Sequence, residues 1–132
     1  MSGEDLFVDQ LIRDDGLTKM ERDQFDELPF GTVKLDPAGC VVLYNAFEAA
    51  LARRDAADMI GRSFFEEVAP CTNNTIFRGG LDRLVARGGK NARFDYKFRF
   101  RWGDRAVRIQ FWVPNPRERW IFVLPKELDT AI

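Results

Sequence analysis

Cys71 stands between Pro70 and Thr72 in the stretch FFEEVAPCTNN, directly after an apolar patch. A cysteine sulfur is the most readily nucleophilic atom among ordinary side chains, so one in such a place can hold a small molecule covalently. The chain contains no histidine, which excludes His-ligated haem, most transition-metal sites and any Cys-His or Ser-His catalytic pair. Its two cysteines, Cys40 and Cys71, are too few for a disulfide scaffold and lack the spacing of a zinc site. Tyr44 and Glu48 lie four residues apart across a strand end and a helical turn, a separation that can aim a phenol and a carboxyl group at one oxygen atom. Each residue also has a plainer reading. A lone cysteine is commonly a small buried hydrophobe, Tyr44 an ordinary strand tyrosine, Glu48 a solvated helix charge, and Arg54 with its neighbour Arg53 a basic surface.

Such groups need elements to position them. At 132 residues, 45% hydrophobic and 13% aromatic, the chain makes one domain with a real core. A formal net charge of -1 gives no global attraction for nucleic acid or anionic membranes. The start MSGEDLFVDQL is acidic where a signal peptide is basic, and no run of about 18 apolar residues occurs, so a cytoplasmic protein without membrane contact is expected.

Three segments are expected: an N-terminal cap over 1–28, a binding domain over 29–126 and a C-terminal tail over 127–132. In the cap, apolar positions are sparse, and the spacing of Phe7 and Leu11 suits a short amphipathic helix. GTVKLD and CVVLYN then read as two strands joined by DPAG, with Cys40 structural at the turn. From Asn45 to Gly88 the pattern is helical in several pieces. Asp55 and Asp58 resemble a capping pair before DMIG, while Ile76, Phe77, Gly80, Leu81, Leu84 and Val85 trace one face of a longer helix ended by Gly88 and Gly89. In ARFDYKFRFRW, Phe94, Tyr96, Phe98, Phe100 and Trp102 alternate with Arg93, Asp95, Lys97, Arg99 and Arg101, giving an aromatic and a charged face. Nucleic-acid binding through stacking needs basic and aromatic residues on the same side, so the charged face is expected to be solvated or covered by the cap. AVRIQFWV and RWIFVLP complete three antiparallel strands. The order β-β-α-α-α-β-β-β predicts an α+β, PAS-like five-stranded antiparallel sheet with helices on one face, an N-terminal helical cap and a cavity against the sheet. Fold alone fixes no ligand.

Several stretches together, LPFGTVKLD, YNAFEAALARRD, MIGRSFFEEVAPCTNN, FDYKF and RWIFV, resemble the photoactive yellow protein family over most of the chain. The resemblance implies a 4-hydroxycinnamic acid (p-coumaric acid) chromophore held at Cys71 as a thioester. It implies that Tyr44 and a protonated Glu48 donate hydrogen bonds to the chromophore's phenolate, that Arg54 gates the pocket, and that Phe64, Val68, Ala69 and Phe98 contact the chromophore. A blue-light receptor follows, signalling through photoisomerisation, proton transfer from Glu48 and loosening of the cap toward an unknown protein partner.

Physical chemistry is consistent with those roles. A buried phenolate is costly unless strong donors meet it, and Glu48 can donate only if burial keeps it neutral. The chain departs from the family pattern at two positions: Ala52 stands where a threonine commonly bonds the pocket tyrosine, and Trp102 where the best-known members carry methionine. A light-insensitive PAS-like ligand-sensing or interaction module is the main alternative. An enzyme with Cys71 as nucleophile lacks a base, so no enzymatic activity is expected. A flavin sensor is disfavoured because GRSFFEE has phenylalanine where flavin-binding relatives place their reactive cysteine.

Overall fold

The computed structural model describes residues 3–126 of the chain, with Glu4 described in its backbone only. The expected tail at 127–132 lies outside the described residues. Two cap helices, α1 (Gly3–Arg13) and α2 (Arg22–Phe25), precede strands β1 (Gly31–Leu35) and β2 (Val41–Tyr44). The turn between these strands is built by Asp36, whose Oδ1 accepts from the amides of Ala38 at 2.9 Å and Cys40 at 3.0 Å. Gly39 closes the turn with a φ of +86°, a conformation that strains any side chain.

Short helices follow. Helix α3 (Ala46–Ala52) is capped by Asn45, and α4 (Ala56–Met59) by Asp55, whose carboxylate accepts from Ala57 N. Asp55 alone caps α4, with Asp58 inside the helix, so the expected pair reduces to one capping residue. A π-helical turn over Phe64–Val68 and a 3-10 turn over Pro70–Thr72 carry the chain past Cys71 to α5 (Arg78–Ala86). Phe77, Leu81 and Leu84 are buried as their spacing predicts, whereas Ile76 precedes the helix and is 65% exposed. Gly88, at a φ of +69°, ends α5 together with the bond from Gly89 N to Leu84 O.

Strands β3 (Asn91–Phe100), β4 (Gly103–Trp112) and β5 (Arg119–Pro125) form a meander. β3 ends at Phe100, which leaves Trp102 in the turn to β4 rather than at the end of the aromatic stripe. The sheet order is β2-β1-β5-β4-β3 with every pairing antiparallel, and β1 joins β5 from Gly31 opposite Val123 to Leu35 opposite Arg119.

Strand alternation divides the interior in two. On one face Val33, Phe98, Ile109, Phe111 and Ile121 pack with Phe64, Phe77 and Leu81 from the helical side. On the other, Phe30, Trp120, Phe122 and Leu124 receive Val8, Leu17, Phe25 and Leu28 of the cap. The sheet therefore lies between its helices and its cap. Helix α1 is rotated from the phase that Phe7 and Leu11 suggest: Asp5 and Val8 are fully buried, while Phe7 is 44% exposed and meets Phe30 edge-on.

Candidate functional site

Strand β2, helix α3, the turns around Cys71 and the end of β3 enclose a cavity of about 590 Å³. Its volume suits a small organic ligand, for which pockets of roughly 300–1,000 Å³ are usual. Tyr44 reaches it from the end of β2, and Glu48 from the first turn of α3. Ala52 and Arg54 line it from the end of α3 and just beyond, Val68, Ala69 and Cys71 from the turns, and Phe98, Phe100 and Trp102 from β3 and its following turn. Of the residues expected at a ligand, Phe64 alone is absent from this lining. It is packed in the core, edge-on to Phe65 and stacked with Phe77 at 6.2 Å. Val68, four residues on at the end of the π-helical turn, packs in the same core and also lines the cavity.

Glu48 is the electrostatic centre of the site. Only 4% of it is exposed, and its Oε1 has no hydrogen-bond partner among the described residues. Burial holds its pKa up to about 8 from an ordinary 4.5, so the carboxyl is neutral at pH 7. It fits where it does because β1 begins with glycine: a Cβ on Gly31 would overlap Glu48 Oε1. Tyr44 is also buried, and desolvation pushes its phenol well above the usual tyrosine range. A charge on Glu48 would push it further up, and the Arg54 guanidinium pulls it down. At neutral pH both groups therefore carry protons and can donate them in hydrogen bonds.

Cys71 is a free thiol, half-buried at the 3-10 turn. Its carbonyl is pinned by Tyr96 Oη at 2.8 Å and Asn74 Nδ2 at 3.1 Å, and Asn74 also donates to Tyr96 Oη. Alternation along β3 marks Tyr96 only as part of the aromatic stripe. A clue was available, since a tyrosine on an apolar face must find a partner for its hydroxyl. Thr72 Oγ1 closes the same turn on Ala69 O at 2.7 Å.

The mouth of the cavity is basic and aromatic. Arg54 Nη2 donates to Val68 O at 3.4 Å, tying the end of α3 to the turn before Cys71. Arg53, in the left-handed conformation at a φ of 55°, lies over the Trp102 ring at 4.6 Å. Trp102 in turn stacks on Phe100, with centroids 4.6 Å apart and planes at 4°.

Asn45 joins the site to the cap. Its Oδ1 accepts from Glu48 N at 3.1 Å and Thr32 N at 2.9 Å, while its Nδ2 donates to Phe25 O at 2.8 Å and Phe30 O at 3.0 Å. One buried amide thus links the first turn of α3, strand β1 and the end of the cap.

Architecture and cavity define a class, and residues 25–123 match the PAS fold. A finer assignment comes from whole-chain similarity. The chain is 37% identical over 110 residues to photoactive yellow protein of Cereibacter sphaeroides, covering 83% of this chain and 89% of that one. It is 38% identical over 101 residues to the photoactive yellow protein of Rhodothalassium salexigens, covering 76% and 81%. Among solved structures, the photoactive yellow protein domain of the sensor histidine kinase Ppr from Rhodospirillum centenum superposes with a TM-score of 0.76 at 39% identity, over 80% of this chain and 94% of that one. The chain belongs to the photoactive yellow protein family.

Proposed function

We propose that this protein is a blue-light receptor that carries a 4-hydroxycinnamoyl group as a thioester on Cys71 Sγ. The observation that carries the reading is the cavity itself, which has a free thiol on its wall and two buried, protonated oxygen acids, Tyr44 and Glu48, that need an acceptor. When bound, the group supplies absorption of blue light, isomerisation about its double bond and a phenolic oxygen of variable proton affinity.

The chain's own residues account for the rest. Glu48 holds its proton at neutral pH because burial makes the carboxylate costly, and it donates through that proton. Tyr44 stays a phenol and donates alongside it. Val68, Ala69 and Phe98 exclude water from the space between these groups and Cys71, and Arg54 screens the mouth. If Glu48 gives up its proton, a carboxylate is left buried beside Gly31 and Val123, with no hydrogen bond to Oε1 among the described residues. The first turn of α3 then has reason to move. Asn45 passes that movement to Phe25 and Phe30, at the junction of cap and sheet.

A light-insensitive ligand-sensing or interaction module is a second reading, favoured by Ala52, which offers Tyr44 no hydroxyl, and by the Trp102 stack at the mouth. One experiment separates the two. Purified protein and Cys71→Ala are incubated with activated p-coumaric acid, then examined by intact mass and visible absorption. The photoreceptor reading expects a mass gain lost in the variant, with a band that bleaches in blue light and recovers in darkness. No adduct, or an adduct without a photocycle, sinks it and leaves the interaction module.

A further inference from the structure

Helix α1 presses two carboxylates into the sheet. Asp5 is fully buried, with Oδ2 2.7 Å from Arg108 Nη1 and Oδ1 3.7 Å from Arg93 Nε. One turn on, Asp9 Oδ1 accepts from Arg93 Nη2 at 2.9 Å and from Gln110 Nε2 at 3.4 Å. Val8 lies between them, fully buried against the aromatic residues of the cap-side core. Burying a carboxylate is costly unless cations meet it, so this face of α1 is matched to the sheet in charge as well as in shape.

The sheet side of the contact is a complete recognition surface. Arg93 and Arg108 stand on neighbouring strands and on the same face, and Arg108 lies opposite Leu124 while Gln110 lies opposite Phe122. Asp95 accepts from both Arg108 and Lys126 at 3.2 Å, so these two cations share one carboxylate of the sheet's own, and Arg93 has none among the described residues. With α1 removed, Arg93 keeps only Gln110 among the described residues, beside newly exposed Phe122 and Leu124. A cationic pair flanking an apolar strip is what an acidic amphipathic helix fits.

We propose that this face is the output surface of the receptor, that α1 masks it as a built-in competitor, and that the partner is a protein presenting an acidic amphipathic helix. The partner's helix carries two carboxylates one turn apart beside an aliphatic side chain, as α1 does with Asp5, Asp9 and Val8. The inference rests on cap release being the signal, as read above, but its test needs no chromophore.

The probe is a fluorescein-labelled peptide of residues 3–13, GEDLFVDQLIR, titrated against the full chain with Asp5→Asn and Asp9→Asn and against the unaltered chain, with anisotropy as readout. The variant is expected to bind the peptide about tenfold tighter or more, with affinity falling as salt is raised, because the competing helix has lost its charges. A peptide with asparagine at both acidic positions is expected to bind at least about tenfold more weakly to the same variant. Trypsin is expected to cut the variant at Arg13 faster than the unaltered chain. Equal cutting rates, equal binding of the two peptides, or no peptide binding to a variant whose cap is cleaved would overturn the proposal. So would dimerisation of the variant on gel filtration, which would make a second copy's α1 the occupant. Failure of Cys71 to take up a chromophore would remove the light input and leave these outcomes unchanged.

Discussion

The sharpest consequence of the site concerns the pH dependence of folding, because Glu48 is an acid whose folded pKa is raised. Its ordinary value is 4.5, and burial takes it to about 8. The folded chain therefore holds a proton that the unfolded chain releases between these values, so stability is fully present below about 4.5 and is lost as pH rises toward 8. At about 1.36 kcal/mol per pH unit, the loss between pH 5 and pH 9 comes to about 4 kcal/mol. Other groups titrate in the same range, so the measurement is a difference. Urea unfolding of the ligand-free protein and of Glu48→Gln, followed by tryptophan fluorescence at each pH, cancels every contribution but that of residue 48. Glutamine keeps the size and a donor while removing the proton equilibrium. The stability of the unaltered protein relative to the variant is expected to fall by about 4 kcal/mol across the range, nearly all of it by pH 8.5. Parallel profiles within about 1 kcal/mol, or a relative stability that rises with pH, would refute the claim that Glu48 is held neutral by burial.

Three other changes probe the surroundings. Asn45→Ala removes four hydrogen bonds that link α3, β1 and the cap, and is expected to cost about 3 kcal/mol or more in urea unfolding and to speed tryptic release of the cap. An unchanged proteolysis rate would mean that Asn45 does not couple the elements it touches. Tyr96→Phe removes one donor from the Cys71 carbonyl and one acceptor from Asn74, with an expected loss of about 1 kcal/mol in the same assay. In a Cys40→Ser background, Trp102→Ala takes away the ring that stacks on Phe100 under Arg53, and a disulfide reagent is expected to label Cys71 about tenfold faster. Equal labelling would show that the stack does not limit access.

Much of this was legible in the chain because local rules govern it. Alternation along ARFDYKFRFRW correctly put Phe94, Tyr96 and Phe98 on the core side and Arg93 on the side that the cap covers. DPAG and the Asn45 and Asp55 positions marked a turn and two helix starts, since their side chains bond backbone groups within a few residues. Tyr44 and Glu48, whose separation can aim both at one point, line the same cavity. Misreadings arose where phase or partner was not local. Ile76 has helical spacing but falls ahead of α5, and Trp102 leaves the strand pattern at a turn.

By itself, then, the sequence determined the elements, their order and the two faces of each strand, because spacing of 2.0 or 3.6 residues and capping chemistry act over one or two turns. Only the tertiary structure decided that β1 lies beside β5, which sets the first hairpin at one edge of the sheet with the last strand in its middle, and that α3 lays Glu48 over Gly31. Only it put Asp5 under Arg93 and Arg108, whose sites in the chain are far from α1. These are choices about which charged and apolar surfaces meet. They depend on the total burial and pairing that the whole chain can reach, and no local window contains that sum.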